Sequence, residues 1–368
     1  MKATVLFVTL CLVCILGICA FSSLPRDSAP IIQEKYDGWA GVIRIWVCED
    51  MAINPASWLN ACGDRFEKSH KGVYINVQTV SASALTGLQE TGINPPDMII
   101  WPAGLLNDGE GLWELAGEYP LRAGLDISRR AVPVLTGAHV WIFDTGAYPA
   151  LPSDMYGVSA ACRSEDLPAL TALSTGLRAG EVAQRALPGV DLGLPGESAA
   201  TPVPEGTVRC RASRDLIISD DARALFKSGE AAAFVGDLSD IAHLADNANW
   251  QVCVTGEYTY VDEMALCSIV KCDGAAAAER RGLCEDLLTL MLGEGQALAA
   301  RAGAMPAAAG VAAHSGDIVL SAVEAGLEGL VCVCPPAFGD SGMPADISLY
   351  IEGKISADQA VEGMISGR

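Results

Sequence analysis

The chain has 368 residues, 51% hydrophobic and 19% charged, which is enough apolar material for real cores and excludes a disordered chain; the length divides into two domains of common size. With 45 acidic against 24 basic residues the formal net charge is −21, which repels polyanions and excludes nucleic acid as a partner.

Lys2 is followed by an apolar run from Ala3 to Phe21 and then by the polar segment SSLPRDSAP, the pattern of an export signal. The run is close to the roughly 20 residues that span a bilayer, so it reads as a retained anchor with the folded part outside the cytoplasm. Ala20 and Ser22 supply the small residues of a cleavage site, and Leu16-Gly17-Ile18-Cys19 loosely matches a lipoprotein box, so cleaved and lipidated forms stay open. Ten of the 13 cysteines lie beyond this run and read as small buried hydrophobes. Beyond the apolar run no CxxC is present and Cys332-x-Cys334 has no near histidine, His314 being closest, so neither a metal nor a cofactor is expected.

Gly41 to Val47, GVIRIWV, is rich in β-branched residues and predicts a buried strand. Ser57 then caps a helix over 58–70 that places Trp58, Cys62 and Phe66 on one face, ended by Gly72. Val73 to Val80 alternates as a strand, a short helix follows over 82–90, and Asp97 to Trp101 is a third strand. Strands joined by helical crossovers run parallel, so the loops after Val47 and Ile100 open at one sheet edge, with Glu49, Asp50 and Trp101 there. His139 to Phe143 is another strand, while residues 147–212, rich in Ala, Gly and Pro, carry no assigned motif.

FKSGEAAAFVGDLSDIAHL, Phe226 to Leu244, reads as a helix end stopped at Gly229, a strand over 231–235, a turn at Gly236 and a helix from Ser239. Such a helix start offers unpaired backbone N–H groups to a crevice. Strands over 250–255 and 264–270 bracket the aromatic segment GEYTYVDE, and a helix over 275–293 carries Leu283, Leu287, Leu288 and Met291 on its core stripe. A second helix spans 296–302. Ser356 and Gln359 form a capping box for a last helix that docks Ala360, Val361, Met364 and Ile365.

Catalytic motifs are poorly represented. GDSG at 339–342 and AAHS at 312–315 match protease loops only by chance: His314 and Ser341 are 27 residues apart in an α/β context. No GxSxG, Walker loop, GxGxxG after a strand or HExxH is present, and no enzyme activity is expected. Trp101, Tyr258 and Tyr260, at loops and sheet mouths, are instead suited to stack on the apolar face of a sugar, with nearby carboxylates taking its hydroxyls.

In their order along the chain these segments resemble bacterial extracellular solute-binding proteins of ABC importers, the sugar-type group that includes maltose-binding protein. The residues that carry the resemblance are GVIRIW with WLNACGDRFEKSHKGVYINVQTV, PPDMIIW, AVPVLTGAHVWIFDTGAY, FKSGEAAAFVGDLSDIAHL, and CEDLLTLMLGEGQALAARAGAMP with IEGKISADQA. The resemblance implies an α/β, two-lobed periplasmic-binding-protein-like fold of type II, with doubly wound sheets joined by a hinge. Laid on this sequence it implies a signal or anchor segment and linker over 1–30, a first lobe of 31–138 with 262–312, and a second of 139–261 with 313–368. Hinges then fall near Gly137, Tyr260 and Ala313, and the cleft residues are Glu49, Asp50, Trp101, Trp141, Asp237, Tyr258 and Tyr260.

The same resemblance implies a monomeric, non-enzymatic receptor that hands a small solute, a carbohydrate, to ABC permease subunits and is tethered to the plasma membrane by the N-terminal segment. Family members often carry Trp in the turn after the buried strand, where this chain has Ser239, so this turn is expected to contribute hydrogen bonds rather than stacking. The alternative reading is a membrane-tethered surface sensor or scaffold of the same fold that binds a protein partner.

Overall fold

The computed structural model describes residues 38–88, 95–125, 128–149, 158–175, 207–210, 213–244, 249–274, 276–339, 345–352 and 354–366. Every strand and helix among them belongs to the unit Trp39–Arg368. The apolar run of 1–30, the Asp340–Gly342 part of the GDSG sequence and most of 147–212 lie outside the described residues. Among the described residues no helix is long and apolar enough to cross a membrane.

The described residues open with β1 (Gly41–Cys48), α1 (Ala56–Ser69), β2 (Val73–Val80), α2 (Ala82–Thr86) and β3 (Met98–Pro102). In β1 the side chains of Ile43, Ile45 and Val47 are buried and Val42 is exposed, the alternation that a strand with one covered face requires. β1 pairs with β2 and β3 in parallel, so both crossovers run as the sequence predicts. α1 starts at Ala56 after Pro55, without the side-chain cap expected of Ser57. Trp58, Cys62 and Phe66 are buried beneath it, and Trp58 Nε1 donates to the Gly295 carbonyl at 2.7 Å.

Next come β4 (Val132–Thr136), β5 (His139–Asp144), β6 (Ser159–Cys162), α3 (Leu167–Leu173), β7 (Thr207–Cys210), β8 (Ser213–Ile218), α4 (Ala222–Ser228), β9 (Ala233–Asp237) and α5 (Leu238–Leu244). Gly229, at φ +80°, closes α4 as expected. Gly236, by contrast, lies inside β9 and is no turn. A Cβ there would meet Phe234, Asp240 and Ile142 at 2.8 to 3.0 Å, so the residue is glycine to let these side chains close over the strand.

The chain ends with β10 (Trp250–Cys253), β11 (Tyr258–Tyr260), β12 (Met264–Ile269), α6 (Ala277–Leu292), a 3₁₀ helix (Gln296–Ala302), β13 (Met305–Pro306), α7 (Ile318–Leu327), β14 (Val331–Val333), α8 (Ala345–Ile351) and α9 (Ala357–Ser366). The capping box of α9 forms in both directions: the Ser356 amide donates to Gln359 Oε1 at 2.9 Å and the Gln359 amide to Ser356 Oγ at 3.2 Å. Ala360, Val361 and Met364 dock, whereas Ile365 is exposed, beyond the edge of the buried stripe.

The strands form two six-stranded sheets, ordered β13-β4-β12-β3-β1-β2 and β10-β5-β9-β6-β8-β7, and a two-stranded ribbon of β11 and β14. Neither large sheet is purely parallel. β12 runs antiparallel to β3 and β4, and β5 antiparallel to β9 and β10. The reason is geometric: β4 leaves the first sheet at the edge where β1 and β3 end, and a chain re-entering through that edge must run backwards.

The ribbon lies between two cores. Alternation sends Tyr258, Tyr260 and Val333 toward the core around Trp141, while Val261, Cys332 and Cys334 join the core around Trp101. Seven of the described cysteines are buried, and burial holds the thiols of Cys62, Cys267 and Cys284 well above their ordinary range. That is the expected packing role.

Candidate functional site

Strand direction decides where the crossings lie. In the first sheet, β1, β3 and β4 end, and β12 begins, at one edge; Thr136 pairs with Met264 there. In the second sheet, β6, β8 and β9 end at the edge where β5 begins, and His139 faces Asp237 across the ladder. The chain passes from one edge to the other at Gly137 and again through Val261 to Glu263. Crevices outside the carboxyl ends of strands are where α/β sheets take ligands.

A charged cluster occupies this place. Arg163, just past β6, donates from Nε to Asp166 Oδ2 at 2.6 Å, and from Nη2 to Asp237 Oδ2 at 2.9 Å and Asp240 Oδ2 at 3.0 Å. Asp237 and Asp240 exchange backbone bonds, Asp240 N to Asp237 Oδ1 at 2.9 Å and Asp237 N to Asp240 Oδ2 at 3.2 Å, and Arg223 Nη1 reaches Asp240 Oδ1 at 3.2 Å. The first turn of α5 is thereby locked to the end of β9.

His139 sits behind this group with its side chain only 4% exposed. Its Nε2 lies 3.3 Å from Asp166 Oδ1 and its Nδ1 3.8 Å from Asp262 Oδ1. Burial alone would lower its pKa, but the charges of Asp262, Asp166 and Asp237 outweigh it and hold the imidazole at about 10, so it is a cation at neutral pH. Asp237 is opposed by burial as well; the Ser239 hydroxyl, the Asp240 amide, Arg163 and His139 hold it below the ordinary carboxylate range. Asp240 is raised, by burial first and then by Asp237. Glu263 is pushed up to about 7 by burial and by the negative charges of Asp237 and Asp262.

Three cations, His139, Arg163 and Arg223, thus face the carboxylates of Asp166, Asp237, Asp240 and Asp262, with Glu263 beside them. His139, Asp166 and Asp240 are sealed in, while the side chains of Asp237 (13% exposed), Arg163 (19%) and Asp262 (36%) reach solvent. Such an edge accepts hydrogen bonds from hydroxyls and disfavours anions.

The sequence-predicted residues divide. Asp237 belongs to the cluster, and Tyr260 adjoins it: its carbonyl is 3.4 Å from His139 Nδ1 and its ring centroid 6.3 Å from that of His139. Tyr258 is half-buried one step back along the ribbon. Glu49 and Asp50 are exposed in the turn after β1, sharing only the sheet edge.

Trp101 and Trp141 are corrections. Both are fully buried, because each lies within a strand covered on both faces; Trp101 gives its Nε1 to Ser268 Oγ at 3.0 Å and packs on Phe338, and Trp141 packs on Phe143. Neither ring has a face for a sugar. His139, Arg163, Asp166, Asp240, Asp262 and Glu263 were not among the expected residues. The Asp237-x-x-Asp240 spacing at a helix start and the Asp262-Glu263 pair before a strand were the available signals.

No protein-family model matches the sequence, and no curated protein matches it either. Solved structures do. The crystal structure of the cyclic alpha-maltosyl-1,6-maltose binding protein from Arthrobacter globiformis superposes with a TM-score of 0.53 over 89% of this chain and 97% of its own, at 12% identity. The chain has the two-lobed, periplasmic-binding-protein-like α/β fold. Two further structures at 14% identity each cover 89% of this chain. They are the GacH receptor of Streptomyces glaucescens (97% of its chain, TM-score 0.46) and an ABC substrate-binding protein from Listeria monocytogenes in complex with cycloalternan (98%, TM-score 0.47). In this fold the two sheets with their helices are the lobes, and the cluster lies where the chain passes from one to the other.

Proposed function

We propose that the protein is a non-enzymatic, extracytoplasmic solute receptor that delivers a neutral carbohydrate to an ABC importer, with ABC permease subunits as partners and the N-terminal segment as its tether to the membrane. The observation that carries this reading is the partly exposed carboxylate edge of Asp237 and Asp262 at the crossing, in a fold whose solved neighbour is a cyclic alpha-maltosyl-1,6-maltose binding protein. Carboxylates oriented by buried cations accept sugar hydroxyls in fixed directions. The ligand residues proposed are Asp237, Asp262, Tyr258 and Tyr260, with Glu49 and Asp50 from the first sheet's edge.

The lobes of this reading are 31–138 with 262–312 and 139–261 with 313–368, a division supported by the strand membership of the two sheets. Gly137, Tyr260 and Ala313 are its hinges. The ribbon, alternately packed on both cores, supports a closure about that line. Burial of Trp101 and Trp141 removes two stacking surfaces and is the observation that favours the second reading, a sensor or scaffold whose partner is a protein.

The test is a thermal-shift screen of neutral oligosaccharides, sugar acids and short peptides on folded protein. Stabilisation by neutral oligosaccharides and none by sugar acids is expected. Stabilisation by no solute would contradict solute reception and leave the protein partner.

A further inference from the structure

A second feature lies outside the crossing cluster. A cavity of about 1140 Å³, open to solvent, is lined by residues within 112–124 and 128–133, the latter reaching the start of β4, with Lys271 just past β12 and Arg281 of α6. None of the cluster residues lines it. Lys271 and Val132 stand at the end of the first sheet away from Thr136 and Met264, so most of this cavity is at the opposite edge from the crossing.

Its charge runs against that of the chain. Five of the 24 basic residues, Arg122, Arg129, Arg130, Lys271 and Arg281, line it, and among the described residues that line it Glu114 and Glu118 are the acidic ones. Two of the five are accounted for: Arg130 pairs with Glu114 at 3.2 Å, and Arg281 pairs with Glu285 at 2.9 Å while stacking 4.7 Å over Trp113. Among the described residues Arg122, Arg129 and Lys271 form no ion pair, in a protein whose acidic groups outnumber basic ones almost two to one.

Arg122 is the most telling. Its side chain is half-buried, Nη2 donates to the uncharged Thr136 Oγ1 at 2.5 Å, and Nε is buried with no hydrogen-bond partner among the described residues. Burial lowers its pKa, so the charge is held at a cost. Among the described residues Glu324 offsets part of that burial, but its carboxylate accepts from the Ala313 and His314 amides and forms no ion pair with Arg122, and a guanidinium presents a planar fork that fits carboxylate and phosphate oxygens. The volume is that of a ligand pocket with room for water.

We propose that this cavity binds a small, multiply charged anion, a polycarboxylate or phosphate ester, with Arg122 as its inner anchor and Arg129 and Lys271 at its mouth. Apart from the Arg122–Thr136 hydrogen bond, the site lies away from the crossing edge. The anion adds to the counter-charge that Glu324 supplies.

The test is calorimetric titration of the full chain with citrate and with pyrophosphate at fixed ionic strength, repeated with Arg122→Gln and with the double variant Arg129→Ala, Lys271→Ala. Saturable binding of at least one anion at one site per chain, weakened at least tenfold in each folded variant, is expected. If Arg122→Gln does not fold, as judged by circular dichroism, the double variant carries the test alone. No saturable binding of either anion, or binding that the folded variants retain at the original affinity, overturns the proposal.

Discussion

Gly137 donates its amide to the Glu263 carbonyl at 2.6 Å, and a Cβ on residue 137 would stand 2.7 Å from Glu263 Oε2 and 2.8 Å from its Cβ. The first two crossings between the sheets are therefore in contact, and glycine is what lets them meet. Gly137→Ala is predicted to push the segments apart and cost roughly 1–3 kcal/mol, as overpacking of a close contact does. Urea denaturation measures it; an unchanged midpoint would mean that Glu263 swings aside freely.

Glu263 also makes stability depend on pH. The groups facing it are Asp237 at the end of β9, Asp262 beside it, His139 of β5 and Asp166 before α3; burial first and then the three carboxylates push its carboxyl up to about 7 from an ordinary 4.5, against the lowering effect of the His139 cation. The folded chain holds this proton to higher pH than the unfolded chain does. Its stabilising effect is full below 4.5 and is lost as pH rises through about 7. Glu263→Gln is predicted to flatten that part of the stability profile and to be more stable than the wild type at pH 8. Coincident profiles for the two proteins would refute this.

His139 has the same sign and a different window. Its pKa is raised from 6.5 to about 10, so its contribution is full below 6.5 and disappears as pH rises through about 10. His139→Gln removes a buried cation from between Asp166 and Asp262 and is predicted to cost roughly 3–5 kcal/mol at pH 7, less at pH 10. Denaturant titrations at the two pH values decide it; an equal loss at both would mean that the imidazole is neutral.

Gln296 is a purely structural counterpart. Fully buried, it donates from Nε2 to the carbonyls of Val134 (2.8 Å) and Met291 (2.9 Å) and accepts at Oε1 from the amides of Ala307 (2.7 Å) and Ala308 (3.1 Å). It ties β4 to α6 and to the chain leaving β13. Gln296→Leu leaves four backbone groups unpaired and is predicted to cost about 3 kcal/mol or more. A loss below about 1 kcal/mol would show that water replaces the amide.

Much of the fold was legible because its signals are local. GVIRIWV alternates on one covered face, Gly229 adopts a left-handed φ, and Ser356 and Gln359 cap each other within one turn. β6 was not legible: SAAC has no strand preference of its own, and what makes it a strand is burial between β8 and β9. Gly236 was misread for a related reason, since the side chains that require glycine there include Ile142, distant in sequence.

The site follows the same divide. Asp237 was legible as the polar residue at a strand end, but its partner Arg163 is 74 positions away, in a stretch with no readable pattern. Trp101 was placed at the cleft because it stands near a strand end and Trp141 because the family resemblance implied it, and neither ground shows the second layer that covers them. The stacking reading passes to Tyr258 and Tyr260, which the ribbon holds beside the cluster.

The central claim is that a neutral carbohydrate binds at the crossing edge through Asp237 and Asp262. Calorimetric titration of the neutral oligosaccharide that most stabilises the wild type, repeated on Asp237→Asn and Asp262→Asn, tests it most directly. One site per chain, with affinity reduced about tenfold or more in each folded variant, or about 1.4 kcal/mol, is the predicted result. Affinity unchanged in both variants, or no neutral oligosaccharide that binds at all, would contradict it.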